Sequence, residues 1–599
     1  MSESRNKKQK QHLLTVLLED YFHVGAFNGL IQRGQWYRFE TRFEQNTLKA
    51  LDLLDRHNIK ATFFVLGWIA DKQPEIVREV ARRGHEIANR GYYHRSIQQM
   101  TPEEFREDLS RSREALENAS RMHVIGYRAA RKLSAPQDLW ALDVLAEEGY
   151  AYDSSFVPNR RVLRTEPQQR FAYQHRAGEK LLWEFPVSTV SLLGWHMPVA
   201  GGNYFRQFPH ALVRRVVQHW HETYDAPFVM YMHVWELDPE QPRISGASHL
   251  MKIRHYRNLH KMADIIEDYL KRYSFVGMGD YLGLEFRQEN ALNAGEAVLA
   301  ENNLLPQQTL HLTGNASKLT ETSNVSSSKK REPVSIVVPC FNEELVLPYL
   351  SNTLKSVEQM LESDYDLQFI FVDDSSTDRT WDALHELFGA RANSAFVRHT
   401  ENRGVAAAIL SGISSAETEI VCSIDCDCTY DPHELSRMIP HLSEGVDMVT
   451  ASPYHPEGGV RNVPGWRLSL SRGASFLYRQ VLNQKLYTYT SCFRVYRRSA
   501  LMKIRLKENG FLGVTEMLGR LDLQGSKVVE HPATLEVRLF GRSKMKVLRT
   551  IRGHLKLLSR LSWLRLRQQK RERDAELNLL KDAKALASHI QTPPATPQK

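Results

Sequence analysis

The feature that most constrains the fold of this chain is a polar segment near its middle. Between about residues 287 and 331 the sequence loses its apolar periodicity and becomes rich in Ser, Thr, Asn and Lys, as in HLTGNASKLTETSNVSSSKKREP. Such a composition cannot bury enough apolar surface to offset the entropy of ordering it. We therefore predict a flexible linker between two folded parts, which agrees with a length of 599 residues, too long for one hydrophobic core.

Short β-rich runs alternate with helical runs on both sides of this linker. Upstream, LLTVLLE, KATFFVLG, HEIANRG and PFVMYMHVW are separated by amphipathic segments such as QPEIVREVARRG. Downstream, SIVVPCFN, LQFIFVDDSS and ETEIVCSIDCD follow the same rhythm. The alternation predicts two α/β domains, a barrel-like one over 1–286 and an open, mostly parallel sheet over 332–546. Ligands of such open sheets bind at the carboxyl ends of the strands.

Composition indicates the cellular compartment of the chain but does not single out one class of partner. The net charge of +9 is compatible with nucleotides, phosphates or an anionic membrane surface, and we predict no nucleic-acid partner. Five cysteines, an odd number confined to the second half, fit a reducing compartment. No apolar stretch approaches the ~20 residues that span a bilayer, and the first residues lack the features of a signal peptide. We therefore predict a cytoplasmic protein, with the inner face of the membrane as an open alternative.

The segment 547–599 is predicted to form a basic amphipathic helix followed by a disordered tail. Val547, Ile551, Leu555 and Leu558 share one helical face, and basic residues dominate the stretch from Gly541 onward. Two interpretations stay open at this point. The helix could lie on anionic lipid, or it could pack on its own domain with a solvated basic face.

Three loops that follow apolar strands carry acidic residues in the second half, namely VPCFNEE, VDDSSTD and CSIDCDCTYDP. Asp373 and Asp374 would project at a strand end, where carboxylates can accept hydrogen bonds from a nucleobase and a ribose. Asp425 and Asp427 end another strand and, with one residue between them, would point to the same face. Two carboxylates and a diphosphate would form the oxygen-only site that Mg²⁺ or Mn²⁺ prefers.

The three cysteines interleaved with these aspartates are predicted to pack rather than to bind a metal. Along a strand, Cys426 and Cys428 would face away from the aspartates, and Cys422 would share their side. Residues two apart are ~6.6 Å from each other, too far for tetrahedral ligation without a turn. We therefore expect buried thiols under the helices of the sheet.

The order of these motifs resembles the family 2 glycosyltransferases of GT-A fold, near the dolichyl-phosphate mannose synthase type. The resemblance extends from residue 333 to about 546 through VPCFNEE, VDDSSTDRT, ENRGVAAAI, DCDCTYDP, SCFRVYRRSAL and FGRSKMK. It implies a Rossmann-like domain that transfers a sugar, with inversion, from a UDP- or GDP-sugar to polyprenyl phosphate or a growing glycan. A Mg²⁺ or Mn²⁺ ion would stabilise the leaving diphosphate.

The resemblance also implies roles for single residues. The nucleotide would contact Pro339, Phe341, Glu343, Asp373, Asp374 and Asp425. The metal would bind Asp425 and Asp427, with Asp427 as the more direct ligand. The diphosphate or an acceptor phosphate would be gripped by Arg494, Arg542 and Lys544, since cations suit polyanionic partners.

Four residues leave the acceptor open. Glu516 stands where many family members have an acidic general base, which a hydroxyl acceptor needs and a phosphate does not. A structural role for Glu516 near a helix N-terminus is the alternative. Thr488 replaces an aspartate that commonly precedes the TSGFR segment, and Cys428 and Thr429 follow the aspartate pair where a glutamine is common.

The first half carries the outline of a second enzyme. Glu19, Asp20, His94 and His233 lie near predicted strand ends, and carboxylates with imidazoles suit Zn²⁺. Their context resembles the polysaccharide deacetylases of carbohydrate esterase family 4 from Leu13 to about Phe286, through EDYFHV, KATFFVLGW, GHEIANRGYYHR, GYRAARKLS, YAYDSSFVP and HVWELDPEQPR. The resemblance implies a NodB-type deformed (β/α) barrel, with His233 in the place of the general acid.

The departures from this second family fall on its chemistry. Leu17 stands in place of the general base, Arg90 in place of a metal-binding histidine, and Arg128 begins RAA where the family has RAP. A guanidinium cannot donate a lone pair to a metal. We therefore predict that Zn²⁺ does not bind and that deacetylation is lost, with Arg90 paired to Glu19 or Asp20 in an internal salt bridge.

Three hypotheses follow from the two halves. The leading one is a glycosyltransferase of bacterial polysaccharide or cell-envelope biosynthesis with a deacetylase-derived accessory domain. The second keeps both activities in one chain, and the third has both domains only binding glycans.

Overall fold

The computed structural model describes residues 10–133, 136–158, 160–192, 195–199, 201–286, 331–541 and 547–590. Contacts divide the chain into two compact units, which we call the first unit (1–36, 40–242 and 247–322) and the second unit (37–39, 243–246 and 323–599). Apart from Arg331, the predicted linker lies outside the described residues. The predicted phosphate ligands Arg542 and Lys544 and the predicted disordered end, 591–599, also lie outside them.

The first unit contains eleven strands and eleven α-helices among its described residues. The strands are β1 (Gln11–Leu18), β2 (Thr62–Val65), β3 (Glu86–Asn89), β4 (Gly126–Tyr127), β5 (Tyr152–Asp153), β6 (Tyr173–Ala177), β7 (Lys180–Glu184), β8 (Thr189–Leu192), β9 (Trp195–Pro198), β10 (Val229–His233) and β11 (Ser274–Val276). The helices are α1 (Phe43–Arg56), α2 (Gly67–Lys72), α3 (Pro74–Arg82), α4 (Pro102–Ser120), α5 (Trp140–Glu147), α6 (Arg160–Thr165), α7 (Gly202–Gln207), α8 (His210–Thr223), α9 (His249–Tyr256), α10 (Met262–Arg272) and α11 (Met278–Leu282). The predicted alternation of strands and helices is confirmed.

The main sheet of the first unit has nine strands in the order β10-β1-β2-β3-β4-β5-β7-β6, with β11 also paired to β1. All of these neighbours are parallel except the hairpin of β6 and β7. β1 is buried from His12 onward, with Leu14, Val16 and Leu18 in one apolar cluster and Leu13 and Leu17 in another. Because both faces of the strand are covered, its apolar run is unbroken. The α/β class is confirmed, whereas no pairing among the described residues joins β6 to β10, so the closed barrel stays a prediction.

Local sequence signals explain where helices of the first unit begin. Helix α4 starts after Thr101, whose hydroxyl accepts a hydrogen bond from the Glu104 amide at 3.2 Å. The Glu104 carboxylate accepts one from the Thr101 amide in return. This reciprocal cap satisfies two main-chain donors that the first turn of a helix cannot pair. The sequence TPEEFREDLSRSREALENA, which predicts a helix, therefore forms one.

The second unit contains nine strands and eight α-helices among its described residues. The strands are β12 (Glu332–Cys340), β13 (Tyr365–Asp373), β14 (Ser394–Arg398), β15 (Ile420–Ser423), β16 (Met448–Ser452), β17 (Gly459–Arg461), β18 (Arg494–Arg497), β19 (Val528–Pro532) and β20 (Thr534–Glu536). The helices are α12 (Leu347–Leu361), α13 (Thr380–Phe388), α14 (Val405–Ser415), α15 (Leu435–Met438), α16 (Gly465–Val481), α17 (Arg498–Leu501), α18 (Phe511–Leu523) and α19 (Val547–Ile590).

The main sheet of the second unit runs in the order β14-β13-β12-β15-β18-β16-β19. The first four strands are mutually parallel, and β18 is antiparallel to both of its neighbours. This is the predicted open and mostly parallel sheet. The register pairs Cys340 with Asp373 and Val337 with Ser423, so β12, β13 and β15 all end on the same side of the sheet. A ligand of such a sheet is expected at these carboxyl ends.

Helix α19 packs on the second unit through a face that differs from the predicted one. Leu557, Leu558 and Leu561 are buried in the apolar core, whereas Ile551 and Leu555 are exposed. The packed line is therefore shifted around the helix from the predicted face, of which it includes Leu558, while Ile551 and Leu555 remain exposed. Among the described residues, none of the helices is both long and apolar enough to cross a bilayer.

Candidate functional site

Asp425 and Asp427 lie in a turn that follows the central strand β15. The strand ends at Ser423, and the Cys428 amide donates to the Asp425 carbonyl at 3.1 Å. Cys428 has a φ of 51°, in the left-handed region. The prediction that the two aspartates share a face through strand alternation is therefore wrong, since a turn brings them to the strand end.

The Asp425 carboxyl is partly buried beside a second acidic group. Burial, followed by the repulsion of Asp427, raises the pKa of Asp425 to about 7. Asp427 has 16% of its side chain exposed and accepts a hydrogen bond from the Thr429 amide at 3.1 Å. Two partly buried carboxylates side by side are costly unless a cation neutralises them. The donor set is oxygen only and fits a divalent ion such as Mg²⁺ or Mn²⁺.

A cation that the sequence analysis missed lies against this pair. The Arg538 guanidinium is 3.4 Å from an Asp427 oxygen, forms an ion pair with Glu343, and donates to the Phe540 carbonyl at 2.7 Å. One guanidinium thereby contacts a carboxylate of the loop after β12 and a carboxylate of the loop after β15. Arg538 precedes the FGRSK motif by only a few residues, so the basic character of that stretch was the available signal.

Four of the predicted nucleotide ligands lie at the ends of β12 and β13. Pro339 pairs with Val372 near the ends of the two strands, and Phe341 directly follows β12. Asp373 is buried, with one oxygen accepting from the Ser376 amide at 3.1 Å and the other facing the Arg398 guanidinium at 3.2 Å. These residues and Glu343 lie at the expected edge of the sheet.

Asp374 takes part in the local structure. Its two oxygens accept hydrogen bonds from the amides of Arg403 and Gly404 at 2.8 and 2.7 Å, and His399 Nδ1 lies 2.7 Å away. Gly404 precedes α14 with a φ of 92°. The carboxylate therefore fixes the start of α14. These contacts favour a structural role, and contact of Asp374 with a nucleotide stays a prediction.

Arg494 is fully buried in β18 and donates to the carbonyls of Val514 at 2.7 Å and Tyr489 at 3.0 Å. Its burial and these two contacts favour a structural role, and its contact with a phosphate stays a prediction. The sequence could not show this, because the basic run FRVYRR does not reveal which of its arginines turn inward.

The contacts of Glu516 favour its structural alternative over the general-base role. It is buried within α18, and one oxygen accepts from the amides of Lys507 and Glu508 at 3.0 and 2.8 Å. The other oxygen pairs with Arg520 at 2.7 Å and lies 3.6 Å from Arg560. Both oxygens are thus engaged in holding the start of α18, as the structural alternative for Glu516 expected.

This environment predicts how a Glu516→Gln variant behaves. The amide retains one acceptor but loses the charge that pairs with Arg520, so the free energy of unfolding should fall by about 2 kcal/mol. Transfer by the folded protein should stay within a few fold of the parent. Denaturant unfolding and initial rates measure the two effects. A variant as stable as the parent that transfers sugar orders of magnitude more slowly would restore the general-base assignment.

The cysteines near the aspartates are buried and free. Burial raises the pKa of Cys422 and Cys428, and contact with Cys340 followed by burial raises that of Cys426. The Cys340 and Cys426 sulfurs are 3.8 Å apart. Thiols with raised pKa values keep their protons, whereas metals bind thiolates. The predicted common face of the three sulfurs does not follow from strand parity, because β15 ends before Cys426.

In the first unit, four predicted residues form one buried cluster. Arg90 Nε is 2.9 Å from a Glu19 oxygen, and another guanidinium nitrogen is 3.2 Å from His94 Nε2. His94 Nε2 is itself 3.2 Å from Glu19, and His233 Nδ1 is 2.6 Å from the other Glu19 oxygen. Arg90 therefore pairs with Glu19, one of the two partners named from the sequence.

The charges of this cluster are arranged around the Arg90 guanidinium. Against the effect of burial, Arg90, His233 and His94 hold the pKa of Glu19 well below its usual range. Burial lowers the pKa of His94, which leaves a lone pair to face the guanidinium. The carboxylate and imidazole atoms that would bind a metal thus already contact a fixed cation. The residues present do not fit a resident Zn²⁺ ion.

The remaining predicted residues of the first unit surround this cluster without joining it. Asp20 accepts hydrogen bonds from the amides of Arg42 and Phe43 at 2.6 and 3.0 Å, and so anchors the start of α1. Burial raises the pKa of the Asp20 carboxyl to about 7. Leu17 is buried in β1, where its register partner is His233. Arg128 is buried over the Tyr231 ring at 4.7 Å, and burial lowers its pKa to about 10.

Family models match three stretches of the chain. Residues 34–148 match polysaccharide deacetylase, residues 154–283 match a domain of unknown function, and residues 335–505 match glycosyl transferase family 2. Among solved structures, a protein of Mycobacterium smegmatis assigned to the polysaccharide deacetylases is 20% identical, with 51% of this chain and 96% of that one covered at a TM-score of 0.32. Glucosyl-3-phosphoglycerate synthase of Mycobacterium tuberculosis is 18% identical, with 40% and 80% covered at a TM-score of 0.30.

Curated relatives match somewhat more than a third of the chain. Dolichol-phosphate mannosyltransferase of Pyrococcus furiosus is 30% identical over 230 residues, which are 38% of this chain and 63% of that protein. Polyprenol monophosphomannose synthase of Mycolicibacterium smegmatis is 32% identical over 217 residues, which are 35% of this chain and 80% of that protein. Together with the family match and the carboxylates at the end of β15, these relatives show that the chain belongs to glycosyl transferase family 2, with a polysaccharide deacetylase region in its first half.

Proposed function

We propose that the second unit transfers a sugar, with inversion and with a divalent metal, from a nucleotide-sugar to polyprenyl phosphate. The observation that carries the proposal is the acidic pair Asp425 and Asp427 in the turn after the central strand β15, with Arg538 against Asp427. The names of the two curated relatives, one a dolichol-phosphate and one a polyprenol-phosphate enzyme, support a lipid phosphate as acceptor.

Different residues are placed to bind the nucleoside and the diphosphate of the donor. Asp373, Pro339 and Phe341 lie where a nucleoside would contact the ends of β12 and β13. Asp425 and Asp427 would hold Mg²⁺ or Mn²⁺, which supplies positive charge to the departing diphosphate. Arg538 adds a fixed cation beside Asp427 and can pair with a phosphate once that phosphate competes for it.

We infer a phosphate acceptor because such an acceptor needs no general base. A phosphate acceptor is anionic at neutral pH and requires no general base. Glu516, the candidate base, has one oxygen engaged by the Lys507 amide and the other by the Arg520 guanidinium. A growing glycan with a hydroxyl nucleophile stays the alternative acceptor, and it would require a base elsewhere in the unit.

The direct test uses the purified full chain with a panel of UDP- and GDP-sugars and undecaprenyl phosphate. We expect one donor to give a lipid-linked sugar that is extracted into organic solvent, with product formation abolished by EDTA and restored by Mn²⁺ or Mg²⁺. Transfer that continues in EDTA would contradict the metal requirement. Donor hydrolysis without lipid product, together with transfer to an oligosaccharide, would replace the acceptor.

Arg538 supplies a more specific prediction. Replacing it by alanine leaves Glu343 and Asp427 without their shared countercharge. We expect the transfer rate to fall about a hundredfold, because one preorganised charge is lost where negative charge develops. Arg538→Lys should recover only part of the rate, since an ammonium cannot bridge both carboxylates. Steady-state rates at saturating donor test this, and parent-like rates in Arg538→Ala would contradict it.

We propose that the first unit is an accessory domain without deacetylase activity. The Arg90 guanidinium against Glu19 and His94 supports this proposal, because it takes the position that a metal would need. The test incubates the full chain with an N-acetylated oligosaccharide and Zn²⁺ or Co²⁺. No acetate release above the blank is expected, and robust release would establish a second active enzyme in the chain.

A further inference from the structure

The surface helix α16 leaves an apolar stripe uncovered. Within this helix of the second unit only Ser475 and Tyr478 are buried. Trp466, Leu470 and Leu477 follow one another at spacings of four and seven residues, which places them on one face, and they are exposed by 51%, 36% and 41%. Phe476 beside them is exposed by 63%. These four exposed side chains form a larger apolar patch than scattered surface residues produce.

Arginines flank this stripe. Arg467, Arg472 and Arg479 lie in α16, and the sequence from Gly465 to Val481 contains no acidic residue. Their guanidinium groups rest over aromatic rings, at 5.4 Å for Trp466 and Arg467 and at 5.4 Å for Tyr487 and Arg479. The helix therefore combines an apolar face with a purely cationic border, the pattern of a helix that lies in a lipid interface.

Helix α19 packs beside α16 and extends the same character. The Tyr478 hydroxyl is 2.9 Å from His554 Nδ1, and Arg565 donates to the Val481 carbonyl at 2.7 Å. Trp563 and Leu566 are exposed by 50% and 65%. From Val547 to Ile590 the helix carries eleven Lys and Arg residues against four Asp and Glu. Both helices of the pair thus present apolar and basic groups together.

We propose that the exposed face of α16, with the adjoining exposed residues of α19, docks on an anionic lipid bilayer. A protein partner would normally meet such a surface with paired carboxylates, whereas a lipid surface needs only a diffuse positive border and aromatic side chains at headgroup depth. The docking is peripheral, because within the described residues no helix can cross the bilayer. It does not rest on the transfer reaction and needs no acceptor lipid.

The test is co-sedimentation of the full chain with vesicles that contain no polyprenyl phosphate. One set is phosphatidylcholine alone and the other contains phosphatidylglycerol at about a third of the lipid. Two variants probe the surface, Trp466→Ser/Leu470→Ser/Leu477→Ser for its apolar stripe and Arg467→Gln/Arg472→Gln/Arg479→Gln for its charge. The matched control is Leu181→Ser/Leu212→Ser/Leu250→Ser, which removes three exposed leucines of the first unit.

The parent and the control should bind anionic vesicles at least tenfold more tightly than neutral ones. Each surface arginine contributes about fivefold, so the triple Gln variant should lose about a hundredfold in partition coefficient. The triple Ser variant should lose at least tenfold, with circular dichroism unchanged. Binding equal to the parent in both variants, equal binding to neutral vesicles, or an equal loss in the control would each overturn the proposal. Concentration-dependent self-association that the Ser variant abolishes, without vesicle binding by the parent, would assign the surface to a second copy instead.

Discussion

Replacing Asp427 by asparagine is expected to lower the rate of sugar transfer about a thousandfold while the chain stays folded. Asp427 has 16% of its side chain exposed and faces Arg538 at 3.4 Å. Asparagine keeps the acceptor for the Thr429 amide but removes the negative charge that a divalent ion requires. The same substitution should weaken Mn²⁺ binding in the absence of donor. Initial rates and calorimetric titration with Mn²⁺ alone measure the two effects.

Asp366→Asn is the matched control for this experiment. Asp366 lies near the start of β13, at the opposite end of the strand from Asp373, and is exposed. Its substitution changes the net charge by the same amount without touching the carboxyl ends of the strands. Transfer and Mn²⁺ binding should both equal those of the parent. If Asp427→Asn transferred sugar like this control, the proposed metal site would be wrong even though the fold stands.

Much of the second unit could be predicted because its central strands β12, β13 and β15 are largely buried. Parallel strands covered on both faces read as unbroken apolar runs, and β12 and β13 do so in VSIVVPCF and LQFIFVDD. The residues that follow such runs must lie at the sheet edge, which placed Asp373 and Glu343 correctly. That inference needs only the direction of the chain and the parallel pairing.

The parts that could not be predicted depend on turns and on contacts between distant segments. The chain turns after β15 ends at Ser423, and Cys428 in this turn has a left-handed φ although it is not a residue that usually marks such a turn. The partners of Arg538 lie more than a hundred residues away in sequence, and no local pattern pairs them. Burial of Arg494 is hidden in the same way, because an inward arginine looks like any other in a basic run.

The first unit shows the opposite case, in which a single substitution was informative. A guanidinium at a position where a metal-binding histidine is expected must either leave the site or take a carboxylate. The structure has Arg90 against Glu19 rather than Asp20, because the amides of Arg42 and Phe43 already engage Asp20. The sequence could name the two candidate partners, but only the packing of α1 could choose between them.

Arg90→Leu is expected to lower the free energy of unfolding of the first unit by about 3–5 kcal/mol. Both members of the pair are buried, with 5% and 1% of their side chains exposed. Leucine fills space but leaves the Glu19 charge with only His94 and His233 as partners. Denaturant unfolding followed by tryptophan fluorescence reports mainly on this unit, since seven of the ten tryptophans lie between residues 36 and 235.

The double variant Glu19→Gln/Arg90→Leu separates lost attraction from stranded charge. If the cost of Arg90→Leu comes from an uncompensated buried carboxylate, removing that charge should return more than half of the lost stability. A double variant that is less stable than Arg90→Leu would contradict this, because packing by the Arg90 stem would then dominate. Arg90→His extends the test. With Glu19 and His94 unchanged, it offers two imidazoles and a carboxylate, so added Zn²⁺ should raise the unfolding midpoint of this variant and leave that of the parent unchanged.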